Sequence, residues 1–96
     1  MAMSELEVVC YTAFDGWNCH VTVADEDGSR TEHDVSVTRA EFQRFSSGMN
    51  VQALLEASFR FLLAKEPKES ILRTFKLSDV ERYFPEYAAV IGGRAP

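Results

Sequence analysis

The first third of the chain alternates between apolar and polar residues, which is typical of strands with one buried face. Two such runs flank Asp15-Gly16, a dipeptide that favours a two-residue hairpin turn because both turn positions need positive φ. A turn at this dipeptide places Cys10 opposite Val21 and gives the hairpin one mostly apolar face. The pattern therefore predicts an antiparallel hairpin in which Cys10 and Cys19 lie diagonally on the apolar face.

A third strand is predicted over residues 30–37. Pairing Val23 with Thr31 keeps its apolar side on the same face and leaves a three-residue loop, 26–28, that ends with Gly28 in the left-handed conformation. The acidic residues of this loop do not form a calcium loop, because Ser36 stands where the final glutamate would be. We therefore expect a three-stranded antiparallel β-meander with strand order 1-2-3.

Helical signals follow the meander. Thr38 and Glu41 form a capping box that opens a short helix, and residues 46–48 end it. Asn50 caps a longer helix that runs to about residue 64, and its apolar positions cover roughly 200° of the circumference, wider than the stripe that one contact needs. We expect this helix to be covered on two sides.

Two further helix starts are predicted near the C-terminal end. Pro67 suits the first turn of a helix whose inward face includes Ile71 and Phe75. Ser78 opens a second capping box, and Pro85 ends the short helix that follows it.

Together these elements predict an α+β fold: a three-stranded antiparallel β-meander followed by C-terminal helices packed on one face of the sheet. A chain of 96 residues has the size of one domain and is long enough to fold without metals or disulfides. The expected division is the meander at 5–37, a helical half at 38–87 and a tail at 88–96.

Composition places the chain among ordinary globular proteins, with 46% hydrophobic and 26% charged residues. Its apolar runs fall far short of the roughly 18 residues that span a bilayer, and its first residues do not follow the order of a signal peptide. We therefore expect a cytoplasmic protein without a membrane partner. In that compartment, and with a diagonal separation of about 7–8 Å, Cys10 and Cys19 are expected to be free thiols.

Charge is distributed unevenly along the chain. The net charge is −5, but residues 1–37 carry −7 and residues 38–96 carry +2. The acidic total disfavours nucleic acid as a partner, because duplex affinity depends largely on basic side chains. The basic residues of the helical half form a candidate patch for RNA or an acidic partner: Arg60, Lys65, Lys68, Arg73, Lys76 and Arg82.

Catalytic and metal-binding patterns are weak. Cys10, Cys19 and His33 share the predicted core face, which favours packed cysteines and a partly buried, hydrogen-bonded histidine. His20, near Tyr11, is the only candidate base. Adjacent Cys19 and His20 point to opposite faces, and the sequence has no phosphate-loop or nucleophile-elbow motif. The sequence predicts no catalytic residue, no metal ligand and no cofactor.

The segment "EASFRFLLAKEPKESILRTFKLSDVERYFPEY", residues 56–87, resembles the C-terminal segment of a family of short uncharacterised prokaryotic proteins. The shared pattern is a helix with Ser-Phe and Leu-Leu, then Glu-Pro, Ser-Ile-Leu-Arg and Tyr-Phe-Pro-Glu-Tyr. It covers about a third of the chain and implies no particular activity or ligand.

The preferred hypothesis is a non-catalytic protein-interaction module that self-associates, as a homodimer, with another protein as a further candidate partner. The alternatives are a small nucleic-acid-associated regulator that uses the basic helical half and, third, an enzyme of unknown type. Aromatic and aliphatic residues of the helical half are the candidate interface, since such residues dominate binding hot spots: Phe59, Phe61, Leu62, Tyr83, Phe84 and Tyr87.

Overall fold

The computed structural model describes residues 4–92 and has an α+β fold, with one four-stranded sheet and four α-helices in that range. The strands follow the order β1-β2-β3-β4 across the sheet; the first three are antiparallel, and β4 runs parallel to β3. In chain order the elements are β1 (Glu5–Ala13), β2 (Gly16–Ala24), β3 (Arg30–Thr38), α1 (Arg39–Phe45), α2 (Val51–Lys65), a 3₁₀ turn (Lys68–Ser70), β4 (Thr74–Lys76), α3 (Leu77–Tyr83) and α4 (Tyr87–Ile91).

The pairing of β2 with β3 confirms the predicted register. Val23 lies opposite Thr31, as expected from the alternation. The Asp25 amide donates to the Ser29 carbonyl at 2.9 Å, which closes the three-residue loop, and Gly28 has a φ of 90°. Loop chemistry and hydrophobic alternation therefore select the same register here.

The predicted register of β1 with β2 is wrong by two residues. The two-residue loop is Phe14-Asp15 rather than Asp15-Gly16, and Ala13 pairs with Gly16. A slip of two residues leaves every side chain on its predicted face, because side chains alternate with a period of two. Alternation alone therefore cannot detect this slip.

Gly16 is required by the approach of β3 rather than by the turn. It has a φ of 144°, and a β-carbon there would collide with the Val37 carbonyl oxygen and lie 2.8 Å from the Thr38 Cα atom. The strands are held close at this end because the Arg39 amide donates to the Asp15 carbonyl at 3.0 Å. Only glycine combines this conformation with this proximity.

The shifted register also overturns the prediction of free thiols. Cys10 lies directly opposite Cys19, their Cα atoms are 4.0 Å apart, and the two side chains form a disulfide. The predicted diagonal separation followed from the wrong register, so the prediction failed for a geometric reason.

Both predicted starts of the first two helices are confirmed. In α1 the Glu41 amide donates to Thr38 Oγ1 at 3.0 Å, and the Thr38 amide donates to Glu41 Oε1 at 2.8 Å. In α2 the Ala53 amide donates to Asn50 Oδ1 at 2.8 Å. These side chains satisfy helical amides that have no partner within the helix.

The helix predicted from Pro67 is wrong. A single 3₁₀ turn, Lys68–Ser70, is followed by the short strand β4. The Asp34 amide donates to the Arg73 carbonyl at 2.7 Å, and Val35 pairs with Phe75. The segment is extended because the edge of β3 supplies its hydrogen-bond partners, a long-range effect that local propensity does not contain.

The third and fourth helices differ from the predicted boundaries. α3 begins at Leu77, one residue before the predicted cap, and Asp79 Oδ2 accepts from the Lys76 amide at 3.1 Å. The Ser78 amide instead donates to Glu41 Oε2 at 3.1 Å. α3 ends before Pro85 as predicted, and α4 occupies Tyr87–Ile91, where a tail was expected from residue 88.

The core lies between one face of the sheet and the helices. α2 contacts both β1 and α4, so the expected two-sided coverage of this helix comes from the chain itself. Phe59 is fully buried and its ring lies 5.3 Å from that of His33, while Phe45 packs on Tyr87 at 5.0 Å between ring centroids. The opposite face of the sheet bears mainly polar side chains and is exposed.

Candidate functional site

The aromatic and aliphatic residues predicted as an interface divide into core and surface. Tyr83 is 66% exposed, and Phe84 is half-buried against the Phe61 ring at 5.8 Å. The others are buried in the core of the single chain: Phe59, Phe61, Leu62 and Tyr87. The wide apolar surface of α2 is therefore already covered.

The buried hydroxyl of Tyr87 has a structural partner. Ser58 Oγ donates to the Leu54 carbonyl at 2.7 Å, so the Tyr87 hydroxyl donates to Ser58 Oγ at 2.6 Å. Burial raises the pKa of Tyr87 to about 12. The hydroxyl is thus held neutral inside the core, where it fixes α4 to α2.

Lys68, a member of the predicted basic patch, is buried. Its side chain is 2% exposed, and its ammonium group donates to Asp25 Oδ2 at 2.6 Å, Ser29 Oγ at 2.7 Å and Glu69 Oε2 at 2.7 Å. The Lys68 ammonium lowers the pKa of the Asp25 carboxyl. Because all three donors are used, Lys68 joins the β2–β3 loop to the 3₁₀ turn and presents no cation to solvent.

The other basic residues do not form a continuous free patch. Within residues 4–92, Arg73 and Lys76 are exposed and their side chains have no hydrogen bond or ion pair. The remaining three have partners within the chain: Lys65 with Glu86 at 2.8 Å, Arg82 with Asp79 at 3.5 Å, and Arg60 with the Ser4 carbonyl at 2.8 Å.

His20 lies on the exposed face of the sheet between two carboxylates. Its Nδ1 is 2.8 Å from Asp34 Oδ1, and its Nε2 is 2.9 Å from Glu32 Oε1. These hydrogen bonds, first that of Asp34 and then that of Glu32, raise the pKa of His20. A protonated ring that donates from both nitrogens has no lone pair to accept a proton, so the geometry does not suit a general base. No hydrogen bond joins Tyr11 to His20 in the described part of the chain.

His33, in contrast, lies on the core face, as predicted, and is fully buried rather than partly buried. Nδ1 donates to the Leu72 carbonyl at 2.7 Å, which leaves Nε2 to accept from Thr31 Oγ1 at 2.8 Å in the neutral ring. Burial lowers the pKa of His33. This histidine joins β3 to the segment before β4 and has no solvent-facing nitrogen.

Other kinds of site find little support among residues 4–92. No group of three or more His, Cys, Asp or Glu side chains there is placed to hold a metal ion, and no helix is long and apolar enough to cross a membrane. An open groove of about 330 Å³ lies between α2 and α3, with Leu72 and Tyr83 at its exposed side. Asp79 in this groove already caps α3.

Hydrogen bonds at the ends of β2 show which residues of β2 form backbone hydrogen bonds with β1 and which with β3. The Arg39 amide donates to the Asp15 carbonyl, and the Asp25 amide donates to the Ser29 carbonyl, so odd-numbered residues along β2 bond to β3. Hydrogen-bonded and non-hydrogen-bonded pairs alternate along an antiparallel ladder. The even-numbered residues of β2 therefore bond to β1.

It follows that β1 bonds to β2 through its odd-numbered residues. The Cα separation of 4.0 Å between Cys10 and Cys19 agrees, since non-hydrogen-bonded pairs lie closer than hydrogen-bonded ones. The backbone N–H and C=O groups of the even-numbered residues of β1 point away from the sheet, and within residues 4–92 they have no hydrogen-bond partner. These N–H and C=O groups, of Leu6, Val8, Cys10 and Thr12, are called the outer edge of β1 below.

Exposed apolar side chains lie along the same strand and its turn. Val9 is 40% exposed, Tyr11 is 63% exposed, and Phe14 is fully exposed in the two-residue loop. Sequence reasoning named none of these residues as an interface. The signal was the predicted strand order, which already placed the first strand at the edge of the sheet.

Comparisons of the chain with protein-family models, with curated proteins and with solved structures give no match.

Proposed function

We propose that this protein is a non-catalytic protein-interaction module that self-associates, and that the contact is made by the outer edge of β1. The observation that carries the proposal is a nine-residue edge strand whose outward N–H and C=O groups are unpaired in the described chain. Such an edge is a template for another strand, and main-chain hydrogen bonds supply affinity when one is added.

The side chains of β1 support this use. Proteins commonly protect edge strands with lysine, proline, a bulge or a covering segment. β1 contains no lysine or proline and pairs with β2 without a bulge. Its only charged residues are Glu5 and Glu7, so the second half of the strand, 9–13, is uncharged. An edge of this kind is suited to being paired.

The opposite edge of the sheet is a weaker candidate. β4 has only three residues, and α3 begins at the residue immediately after it. A strand added there would gain few hydrogen bonds. The asymmetry between the two edges favours β1 as the contact.

The competing hypotheses have less support. A nucleic-acid-associated regulator would need a cluster of free cations. Lys68 is buried, and Lys65, Arg60 and Arg82 have partners within the chain, so Arg73 and Lys76 are the two of these six residues that are exposed without a partner. The candidate base of an enzyme, His20, directs both ring nitrogens at carboxylates, so neither nitrogen offers a free lone pair to a substrate.

The test is a concentration series of solution mass by light scattering on the wild type, Thr12→Pro and Thr12→Ala. Proline at 12 removes an outward N–H and leaves the β1–β2 ladder intact, because Thr12 is exposed and does not bond to β2. Alanine at 12 shortens the same side chain and keeps the N–H. Circular dichroism melting curves check that all three proteins are folded.

We expect the wild type and Thr12→Ala to exceed the 10.8 kDa monomer mass as concentration rises, and Thr12→Pro to remain monomeric. A wild type that stays monomeric up to about 1 mM would contradict the proposed self-association, since its binding free energy would then be weaker than about −4 kcal/mol. A folded Thr12→Pro that still dimerises would move the contact to another surface.

A further inference from the structure

The outer edge of β1 also restricts the identity and the orientation of its partner. We infer that the partner is a second copy of this chain, paired with β1 in antiparallel orientation about a two-fold axis that passes between the two copies of Val9. This inference rests on the proposed self-association and specifies its geometry.

Charge favours the antiparallel orientation. Glu5 and Glu7 occupy the first half of β1, and the second half has no charge. A parallel, in-register pair would place each glutamate beside its own copy, and like charges directly opposite are destabilising. An antiparallel pair places the glutamates beside the uncharged half, Glu7 next to Tyr11.

The unpaired backbone groups then restrict the register. Two residues exchange both N–H···O bonds only when both direct their groups toward the partner, so even-numbered residues must face even-numbered ones. Centring the pair on Val9 matches Leu6 with Thr12 and Val8 with Cys10. Val9 is the middle residue of Glu5–Ala13, so this register also pairs the whole strand.

Neighbouring symmetric registers are less favourable. Centres on Val8 or Cys10 also match even-numbered residues, but they leave two residues at one end of β1 without a partner. The Val9 register makes more hydrogen bonds and brings the exposed side chains of the two Val9 residues together on the open face of the sheet. The two four-stranded sheets then form one continuous sheet with the helices of both copies on the same face.

The same register gives Phe14 a neighbour. It brings the loop that contains Phe14 to the level of Ser4 of the second copy. The Ser4 carbonyl accepts from Arg60 Nη1 at 2.8 Å, so a guanidinium group lies at this level. An aromatic ring and a guanidinium group attract each other, which would explain a fully exposed phenylalanine in the turn.

The test is a charge exchange at the symmetry axis. Val9→Lys and Val9→Glu are prepared separately, and the homodimer dissociation constant of each is measured by analytical ultracentrifugation, followed by that of an equimolar mixture. Val9 is 40% exposed, so both side chains fit on the open face of the folded monomer. Native mass spectrometry identifies the composition of each dimer.

We expect each variant alone to dimerise at least about tenfold more weakly than the wild type, because like charges meet at the axis. The mixture should form the Lys–Glu heterodimer in preference to either homodimer. A second variant, Phe14→Ser, should weaken the dimer while the melting temperature of the monomer is unchanged.

Three results would overturn the inference, and they are distinguishable. A wild type that never dimerises removes the proposed function together with this geometry. Wild-type dimers that are insensitive to Val9→Lys, Val9→Glu and Thr12→Pro leave self-association in place on another surface. Weakened variants whose mixture shows no preference for the heterodimer would mean that the two Val9 residues do not meet.

Discussion

Cys10 and Cys19 face each other across β1 and β2 with Cα atoms 4.0 Å apart, and their side chains form a disulfide. This pair lies at a non-hydrogen-bonded position, which is why the amide and carbonyl of Cys10 point away from the sheet. The disulfide therefore links β1 covalently to β2, while the backbone groups on the outer edge of β1 stay available for another strand.

Removing the disulfide should weaken the fold. In the Cys10→Ser, Cys19→Ser double variant, we expect the free energy of unfolding to fall by about 2–3 kcal/mol. The reason is that the unfolded chain regains the conformational entropy that a cross-link between residues nine apart removes. Urea denaturation of the oxidised protein and of the double variant measures this difference. Two thiols that react with an alkylating agent in the folded, oxidised sample would contradict the pairing.

Gly16 and Gly28 test two different reasons for glycine. Alanine at 16 would meet the backbone of β3, so Gly16→Ala should destabilise the protein by about 2–4 kcal/mol. Gly28 also has positive φ but no atom within 4 Å of an added β-carbon, so Gly28→Ala should cost only about 1–2 kcal/mol. Equal losses in chemical denaturation would mean that conformation alone, and not the approach of Val37, requires Gly16.

Because Tyr87 donates a hydrogen bond to Ser58, we expect substitutions of the two residues to lower the free energy of unfolding by unequal amounts. Tyr87→Phe removes a donor and should lower the free energy of unfolding by about 1 kcal/mol. Ser58→Ala leaves the Tyr87 hydroxyl buried without its partner and should cost more, about 1–3 kcal/mol. Thermal denaturation with the double variant gives the coupling. Unchanged stability in Tyr87→Phe would place this hydroxyl at a solvated surface instead.

His20 should make stability depend on pH. Its pKa is higher in the folded protein than the ordinary 6.5, so its ion pairs contribute fully below pH 6.5, and the contribution is lost as pH rises through the folded-state pKa. Since these pairs are exposed and screened by solvent, we expect only about 0.2–1 kcal/mol.

His20→Gln measures this contribution. The stability difference between the wild type and His20→Gln should be larger near about pH 5.5 than near about pH 8.5. The pKa of His33 is lowered, so its contribution has the opposite sign, but it is present in both proteins and cancels in the difference. A difference that does not change with pH would contradict the carboxylate contacts of His20.

Features set by neighbouring residues could be predicted from the sequence. The Thr38–Glu41 capping box, the Asn50 cap and the loop that ends with Gly28 each depend on a few adjacent side chains, and all are confirmed. The wide apolar surface of α2 correctly indicated two-sided coverage.

Features set by distant parts of the chain could not be predicted in the same way. Asp15-Gly16 satisfies the requirements of a hairpin turn, and the approach of β3 that gives Gly16 its role is invisible in the local sequence. β4 exists because the edge of β3 offers partners such as the Asp34 amide. The predicted interface includes core residues of α2 because the local sequence does not show that α4 and the sheet cover them.

Amide hydrogen exchange along β1, followed by NMR at low and at high protein concentration, tests whether the outer edge of β1 forms the contact. At low concentration the amides of Val9 and Tyr11 should be protected by β2, while those of Val8 and Thr12 should exchange rapidly. At concentrations where the mass doubles, Val8 and Thr12 should become protected as well. If they still exchange rapidly in the dimer, the outer edge of β1 is not the contact, and the proposed self-association through this strand is contradicted.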